Sequence, residues 1–171
     1  MCYATYVLRA ACCVLRYNNH LNMIDGSKRY RKPLLSEEEK CKADVATLSY
    51  DFSCRMIRLY QYLTEDAPYK EHVMSKQIYR SGTSIGANIH EAQKAHTKPD
   101  FLSKMAIASK EANETDYWLR LLRDNGYIDI DQFQSLNHDI QRLLRIIVSI
   151  VKTTKENIEE SNTQRRTPKK Q

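Results

Sequence analysis

Two stretches of this 171-residue chain place mostly apolar residues, with one threonine each, at alternating spacings of four and three. Phe101, Met105, Ala108, Ala112, Thr115, Leu119 and Leu122 form one; Phe133, Leu136, Ile140, Leu143, Ile147, Ile150 and Thr154 form the other. That rhythm lines up every member along one stripe of an α-helix, the seam by which helices pack in bundles. A half-buried strand would alternate with a period of two, and no such pattern is sustained between Ser36 and Asn157. Two long seams of this kind leave a helical bundle as the architecture to expect.

The boundaries agree. Ser36-Glu37-Glu38-Glu39 has the pattern of a capping box and opens a first helix with the stripe Val45, Leu48, Phe52, Met56, Leu59 and Leu63. Pro68 supplies a break and a first-turn proline for a second helix. Thr97-Lys98-Pro99-Asp100 caps the third, which Asn125-Gly126 ends, and Asp129 to Gln132 repeats the cap for the fourth. Short connections predict an all-α fold, an up-down-up-down antiparallel four-helix bundle over residues 36–158. It lies between an N-terminal extension, 1–35, and a basic C-terminal tail, 159–171. Residues 1–35 follow no period, and read either as a flexible arm or as an extension ahead of a start at Met23.

Composition narrows the class. At 42% hydrophobic and 28% charged the chain is neither disordered nor membrane-embedded in character, and no apolar run approaches the roughly 20 residues of a membrane span. Arg9 interrupts the apolar start and no basic segment precedes it, against a secretory signal. Cys2, Cys12, Cys13, Cys41 and Cys54 are odd in number and lack C-x-x-C spacing, so reduced thiols and a cytoplasmic location are expected. The net charge of +6 sits at the ends. Arg9, Arg16, Lys28, Arg29, Arg31 and Lys32 face only Asp25 before residue 37, and Arg165, Arg166, Lys169 and Lys170 close the chain. The segment between is net acidic, which weakens any nucleic-acid argument from overall charge.

Gly82-Thr83-Ser84-Ile85-Gly86 matches the G-x-S-x-G pattern of serine hydrolases. That motif works where a strand turns sharply into a helix. Here the stripe Ile78, Gly82, Ile85, Ile89, Ala92 runs straight through it, so Ser84 is read as a helix residue and not a nucleophile. His90 and His96 are six apart, not the four of a zincin, and neither Glu111 nor Glu114 has a histidine three residues on. The glycines form no phosphate loop. No catalysis, cofactor or metal is expected.

Gly82 and Gly86 each cost about 1 kcal/mol in a helix relative to alanine. Close approach of another backbone, a filling residue such as Trp118, or a chain–chain contact would offset that cost. Beside the apolar stripe runs a polar row, Gln77, Ser81, Ser84, Asn88 and Glu91, and the third helix carries a mixed one, Lys104, Ile107, Glu111, Glu114, Trp118 and Leu121. The rows read as solvated faces, as a hydrogen-bonded layer between helices or subunits that pairs Arg80 with Glu111 or Glu114, or as a ligand site at Asn88 and Glu91.

Arg80 to Ile89 with Glu91-Ala92, followed by Lys98 to Phe101, Ala108, Lys110-Glu111-Ala112, Glu114-Thr115 and Tyr117-Trp118-Leu119, resembles the four-helix-bundle proteins encoded by 23S rRNA intervening sequences. The resemblance covers about residues 37–158. It assigns Arg80, Ser81, Gly82, Ser84, Ile85, Asn88, Glu91, Glu111, Glu114 and Trp118 to the structural motif. It implies a bacterial cytosolic protein assembling as a homopentameric barrel, related to the accessory variability protein of diversity-generating retroelements, which binds nucleic acid.

Basic pairs recur at i, i+3: Arg55/Arg58, Arg120/Arg123, Arg142/Arg145 and Lys152/Lys155. They read as ordinary solvent charges, or as a patch that oligomerisation multiplies into a phosphate-binding ring. Arg120 and Arg123, with Arg165, Arg166, Lys169 and Lys170, are the expected nucleic-acid contacts. The expected activity is that of a non-enzymatic homo-oligomer binding RNA or a ribonucleoprotein through basic surfaces. The alternative is a protein–protein scaffold without physiological nucleic-acid binding.

Overall fold

The computed structural model describes residues 34–166. Five α-helices follow one another: α1 (Glu37–Lys42), α2 (Val45–Gln61), α3 (Met74–Ala92), α4 (Lys98–Asp124) and α5 (Ile130–Arg166), with a π-helical turn, Tyr62–Asp66, closing α2. α3 packs between α2 and α4, and α5 lies against α4 and α2. Ser81 meets Thr115 while Glu91 meets Lys104, so α3 and α4 run antiparallel. Among the described residues no helix is long and apolar enough to cross a membrane.

The seams form the core. Phe52, Met56 and Leu59 of α2, Ile78, Ile85 and Ile89 of α3, Met105, Ala108, Ala112, Leu119 and Leu122 of α4, and Leu136, Ile140, Leu143 and Ile147 of α5 are all buried in one cluster. Phe101 and Ile150 pack at its edge.

The described residues form five α-helices where four were expected, because the first predicted helix is two. The Ser36 capping box forms as read, with the Ser36 hydroxyl accepting from Glu39 N–H and the Glu39 carboxylate accepting from Ser36 N–H. The helix then stops at Lys42. Ala43 is extended, and Asp44 caps a fresh start by accepting the Thr47 N–H at 2.7 Å. Pro68 is not a first-turn residue either: it lies in the loop, and α3 begins at Met74. Its start is capped from within the loop by Glu71, whose carboxylate accepts the N–H groups of Val73, Met74 and Ser75 at 2.7, 2.8 and 2.6 Å. These are donors that a helix start otherwise leaves unpaired. Burial pushes the Glu71 pKa up, but those hydrogen bonds outweigh it and hold the carboxyl below its usual value.

The other caps stand where the sequence placed them. Thr97 accepts the Asp100 N–H, Gly126 takes φ +75° behind α4, and Asp129 and Gln132 hydrogen-bond reciprocally at the start of α5. α5 continues through Arg166, into the segment read as a tail.

The two glycines of α3 are explained by α2. A Cβ on Gly82 would stand 2.4 Å from Met56 Cγ, and one on Gly86 would stand 2.7 Å from Ser53 Oγ and 3.3 Å from the Ser49 carbonyl oxygen. Close approach of a neighbouring helix, rather than Trp118, fills the space that the missing methyl groups leave.

Candidate functional site

The polar row lies where α3 meets α4. Ser81 and Thr115 are both buried and share a hydroxyl–hydroxyl hydrogen bond of 2.9 Å, a polar rung inside an otherwise apolar seam. Ile85 is fully buried beside it. Ser84 and Asn88 are half-buried, and Asn88 Nδ2 donates to the Ser84 carbonyl at 2.9 Å. Ser84 sits in the middle of α3, so the strand-to-helix turn that a nucleophile elbow requires is absent there.

Further out, Glu91 pairs with Lys104 across the two helices. Trp118, half-buried, donates from Nε1 to Glu114 at 3.1 Å and meets the Tyr117 ring edge-on at 5.2 Å. Arg80, expected to pair with Glu111 or Glu114, acts on Glu111 through its field. Burial first, and then the neighbouring Glu114 carboxylate, raise the Glu111 pKa, while Arg80 opposes them. The ion pair that closes across this face is Lys104–Glu91. His90 and His96 are exposed, and the described residues contain no cluster of three or more His, Cys, Asp or Glu that could hold a metal ion.

The basic pairs divide. Arg120 reaches Asp116 at 2.8 Å with its side chain still 57% exposed. Arg123 pairs with Asp124 at 2.7 Å and lies 4.2 Å from the Phe133 ring centroid, a cation–π contact. Arg145 and Lys155 are exposed. Arg165 and Arg166 close α5, and Lys169 and Lys170 lie outside the described residues, as do residues 1–33 of the N-terminal extension.

Arg55 and Arg142 are not solvent charges. Arg55 is 4% exposed and its guanidinium binds Asp139 of α5, the Ser135 carbonyl at 3.3 Å and Ser135 Oγ at 2.8 Å. Lys40, from α1, donates to the same Asp139 at 2.9 and 3.1 Å and to Glu37 at 3.0 Å. Arg142 donates to the Lys40 carbonyl at 2.7 Å. Asp51 completes the group: Oδ1 accepts the Leu35 N–H at 2.8 Å, while Oδ2 is buried without a hydrogen-bond partner. Lys40, Asp51, Asp139 and Arg142 line a small pocket with Leu48 and Leu143.

The two carboxyls of this cluster are driven in opposite directions. For Asp139, burial is outweighed by Arg55 and Lys40, which hold its pKa below the usual range. For Asp51, burial dominates and raises the pKa, with the Leu35 N–H, Lys40 and Arg55 pulling it back only in part. Sequence reading missed this cluster. The available signal was Asp51 and Arg55 at i, i+4 immediately beside the core positions Phe52 and Met56, and Asp139 next to Ile140.

Comparison with known proteins bears on the α2–α5 segment. A crystal structure of a protein of unknown function from the S23 ribosomal protein family of Bacteroides thetaiotaomicron VPI-5482 is 49% identical, with a TM-score of 0.62, and covers 64% of this chain and 99% of its own. No curated protein matches. The family model of the 23S rRNA-intervening sequence protein matches residues 42–149, from the end of α1 to the middle of α5. With the core seams and the α3–α4 motif inside that span, this chain belongs to the 23S rRNA-intervening sequence protein family.

Proposed function

We propose that this protein is a non-enzymatic, cytoplasmic, oligomeric helical bundle that binds RNA or a ribonucleoprotein through basic surfaces. The observation that carries the reading is the end of α4, where Arg120 and Arg123 lie one turn apart and Arg120 keeps 57% of its side chain in solvent. One such pair is a modest phosphate contact. A closed ring of copies, five by the resemblance to the intervening-sequence proteins, would multiply it, since phosphate contacts add in their salt dependence and linked sites add avidity. The α3–α4 face supports assembly: it carries Ile107, 37% exposed, and, three turns on, the half-buried Trp118. The basic tail, 159–171, would extend the charged surface.

One observation favours the alternative of a protein–protein scaffold. Arg120 and Arg123 each have an acid in contact, Asp116 and Asp124, which lowers the local field available to phosphate. Titration of the full chain with labelled single-stranded RNA at low and moderate salt separates the two. RNA binding that weakens steeply with salt, and whose slope shrinks in an Arg120→Ala/Arg123→Ala chain, supports the charged surface. Absent or salt-insensitive binding sinks it in favour of the scaffold.

A further inference from the structure

Among the described side chains of helix α1, none is both apolar and buried. Its sequence is Glu-Glu-Glu-Lys-Cys-Lys; Glu37, Glu38, Glu39 and Cys41 are exposed, and Lys40, at 5% exposure, is the residue that turns inward. Leu34 and Leu35 ahead of it are half-buried and stay outside the core cluster. What fastens the segment is polar: Leu35 N–H to Asp51, Lys40 Nζ to Asp139, and Arg142 to the Lys40 carbonyl. α1 also lies almost wholly ahead of residues 42–149, the span that the family model matches.

Its attachment is jointed. Ala43 is extended, packed at the edge of the core, and Asp44 caps α2 by its own side chain, so the start of α2 is capped without α1. Under α1 lie Leu48 and Leu143 with Asp51, Asp139 and Arg142, and the unpartnered Asp51 Oδ2 is buried among them. A buried ion pair stands near balance, because its attraction is set against the hydration both charges lost. Detaching α1 returns Lys40 and the two carboxylates to water, while the apolar seams of the bundle stay closed. Local opening of this kind needs less free energy than global unfolding.

We propose that α1 is a strap, latched by the Lys40 ammonium, that opens and closes over the α2–α5 groove independently of the bundle and is released by salt. Salt acts because the ions of the open state are hydrated and screened, whereas those of the closed cluster are shielded from it. The strap's opening uncovers a floor of Asp51, Asp139 and Arg142 between two leucines.

Residue-resolved amide hydrogen exchange on the full chain tests this. The Leu35 amide is the reporter, because it lies outside any helix and its partner is Asp51. In the wild type the Leu35 amide should exchange at least about tenfold faster than core amides of α3 and α4, and faster again as salt rises. Lys40→Met, which keeps the aliphatic stem, should speed it by about a further tenfold with the core amides unmoved. Glu37→Gln, which alters only the exposed partner of Lys40, should change little. The proposal is overturned if Leu35 exchanges at the rate of the core in the wild type, or if salt leaves it unchanged. It also fails if Lys40→Met loosens or unfolds the whole bundle; the wild-type salt series stands apart from that variant.

Discussion

The two sides of α2 are held by opposite means. Towards α3 the contact is one of missing atoms: Gly82 and Gly86 let Met56, Ser53 and the Ser49 carbonyl come close, and the chemistry is van der Waals packing. Towards α5 the contact is one of charge: Arg55 and Lys40 converge on Asp139 in the interior. Packing of the first kind tolerates small shifts by its neighbours and gains from every buried methylene. A buried ion pair gains little while complete and loses heavily when one partner is removed and the other cannot reach water. The two sides should therefore respond differently to single substitutions, and that difference can be measured by urea unfolding.

The largest effect is expected at Asp139. Asp139→Asn leaves Arg55 buried inside the bundle without its counter-charge and should cost about 3–5 kcal/mol, the range for breaking a buried pair from one end. The sign of its pH dependence follows from the depressed pKa of Asp139. Its stabilisation is present above the usual carboxylate range and is lost as pH falls from that range through the lower folded-state pKa, so the wild-type advantage over Asp139→Asn should close in acid. A gap that persists unchanged in acid would assign the loss to shape rather than charge.

Gly82→Ala comes next. The new Cβ meets Met56 Cγ at 2.4 Å, against a gain in helix propensity of about 1 kcal/mol. A net loss of about 1–2 kcal/mol is expected from the overpacking. A stabilised Gly82→Ala chain would show that the close approach of α2 is not what the glycine serves. Ser81→Ala removes the shared hydroxyl bond but leaves Thr115 bonded to the Glu111 carbonyl at 2.8 Å, so about 1 kcal/mol is expected.

Asp51→Asn should be the mildest. The raised pKa of Asp51 means that its ionisation opposes folding. The folded state keeps the benefit of the neutral carboxyl below the ordinary pKa and loses it as pH rises through the folded one. Asp51→Asn should then unfold at the same urea concentration as wild type or a higher one at neutral pH, with any advantage vanishing in acid. A loss comparable to that of Asp139→Asn would show that Asp51 is a working member of the charge pairing.

What could be read from the sequence was whatever is local. The seams of α4 and α5, the Ser36 box, the Thr97 and Asp129 caps and the stop at Gly126 depend on residues within one turn of each other, and all stand in the structure. The break after Lys42 was hidden, because Ala43 is an ordinary helix former and no Gly or Pro stands between Ser36 and Val45. Glu71 was missed for a related reason: a carboxylate reaching forward to three N–H groups has no fixed signature, whereas Pro68 looked like one. Arg55 and Arg58 are indistinguishable as a surface pair until a partner 84 residues away is brought alongside. The family motif was legible as a string, Arg80 to Ala92, but that Gly82 serves α2 rather than Trp118 is a fact of three dimensions.

The cap on α3 has a consequence for any anionic partner. A helix start is a ready phosphate cradle, since its first N–H groups point outward at the positive end of the dipole. In α3 that cradle is already filled by the protein's own Glu71 carboxylate, bonded to Val73, Met74 and Ser75. α3 begins at the end of the molecule where α4 finishes, so this occupied start stands near Arg120 and Arg123. Under the proposed RNA binding, a phosphate arriving at that end would meet guanidinium groups already paired with Asp116 and Asp124, not a fixed backbone nest. Recognition there would follow charge density along a nucleic-acid backbone and place little demand on the geometry of a single phosphate.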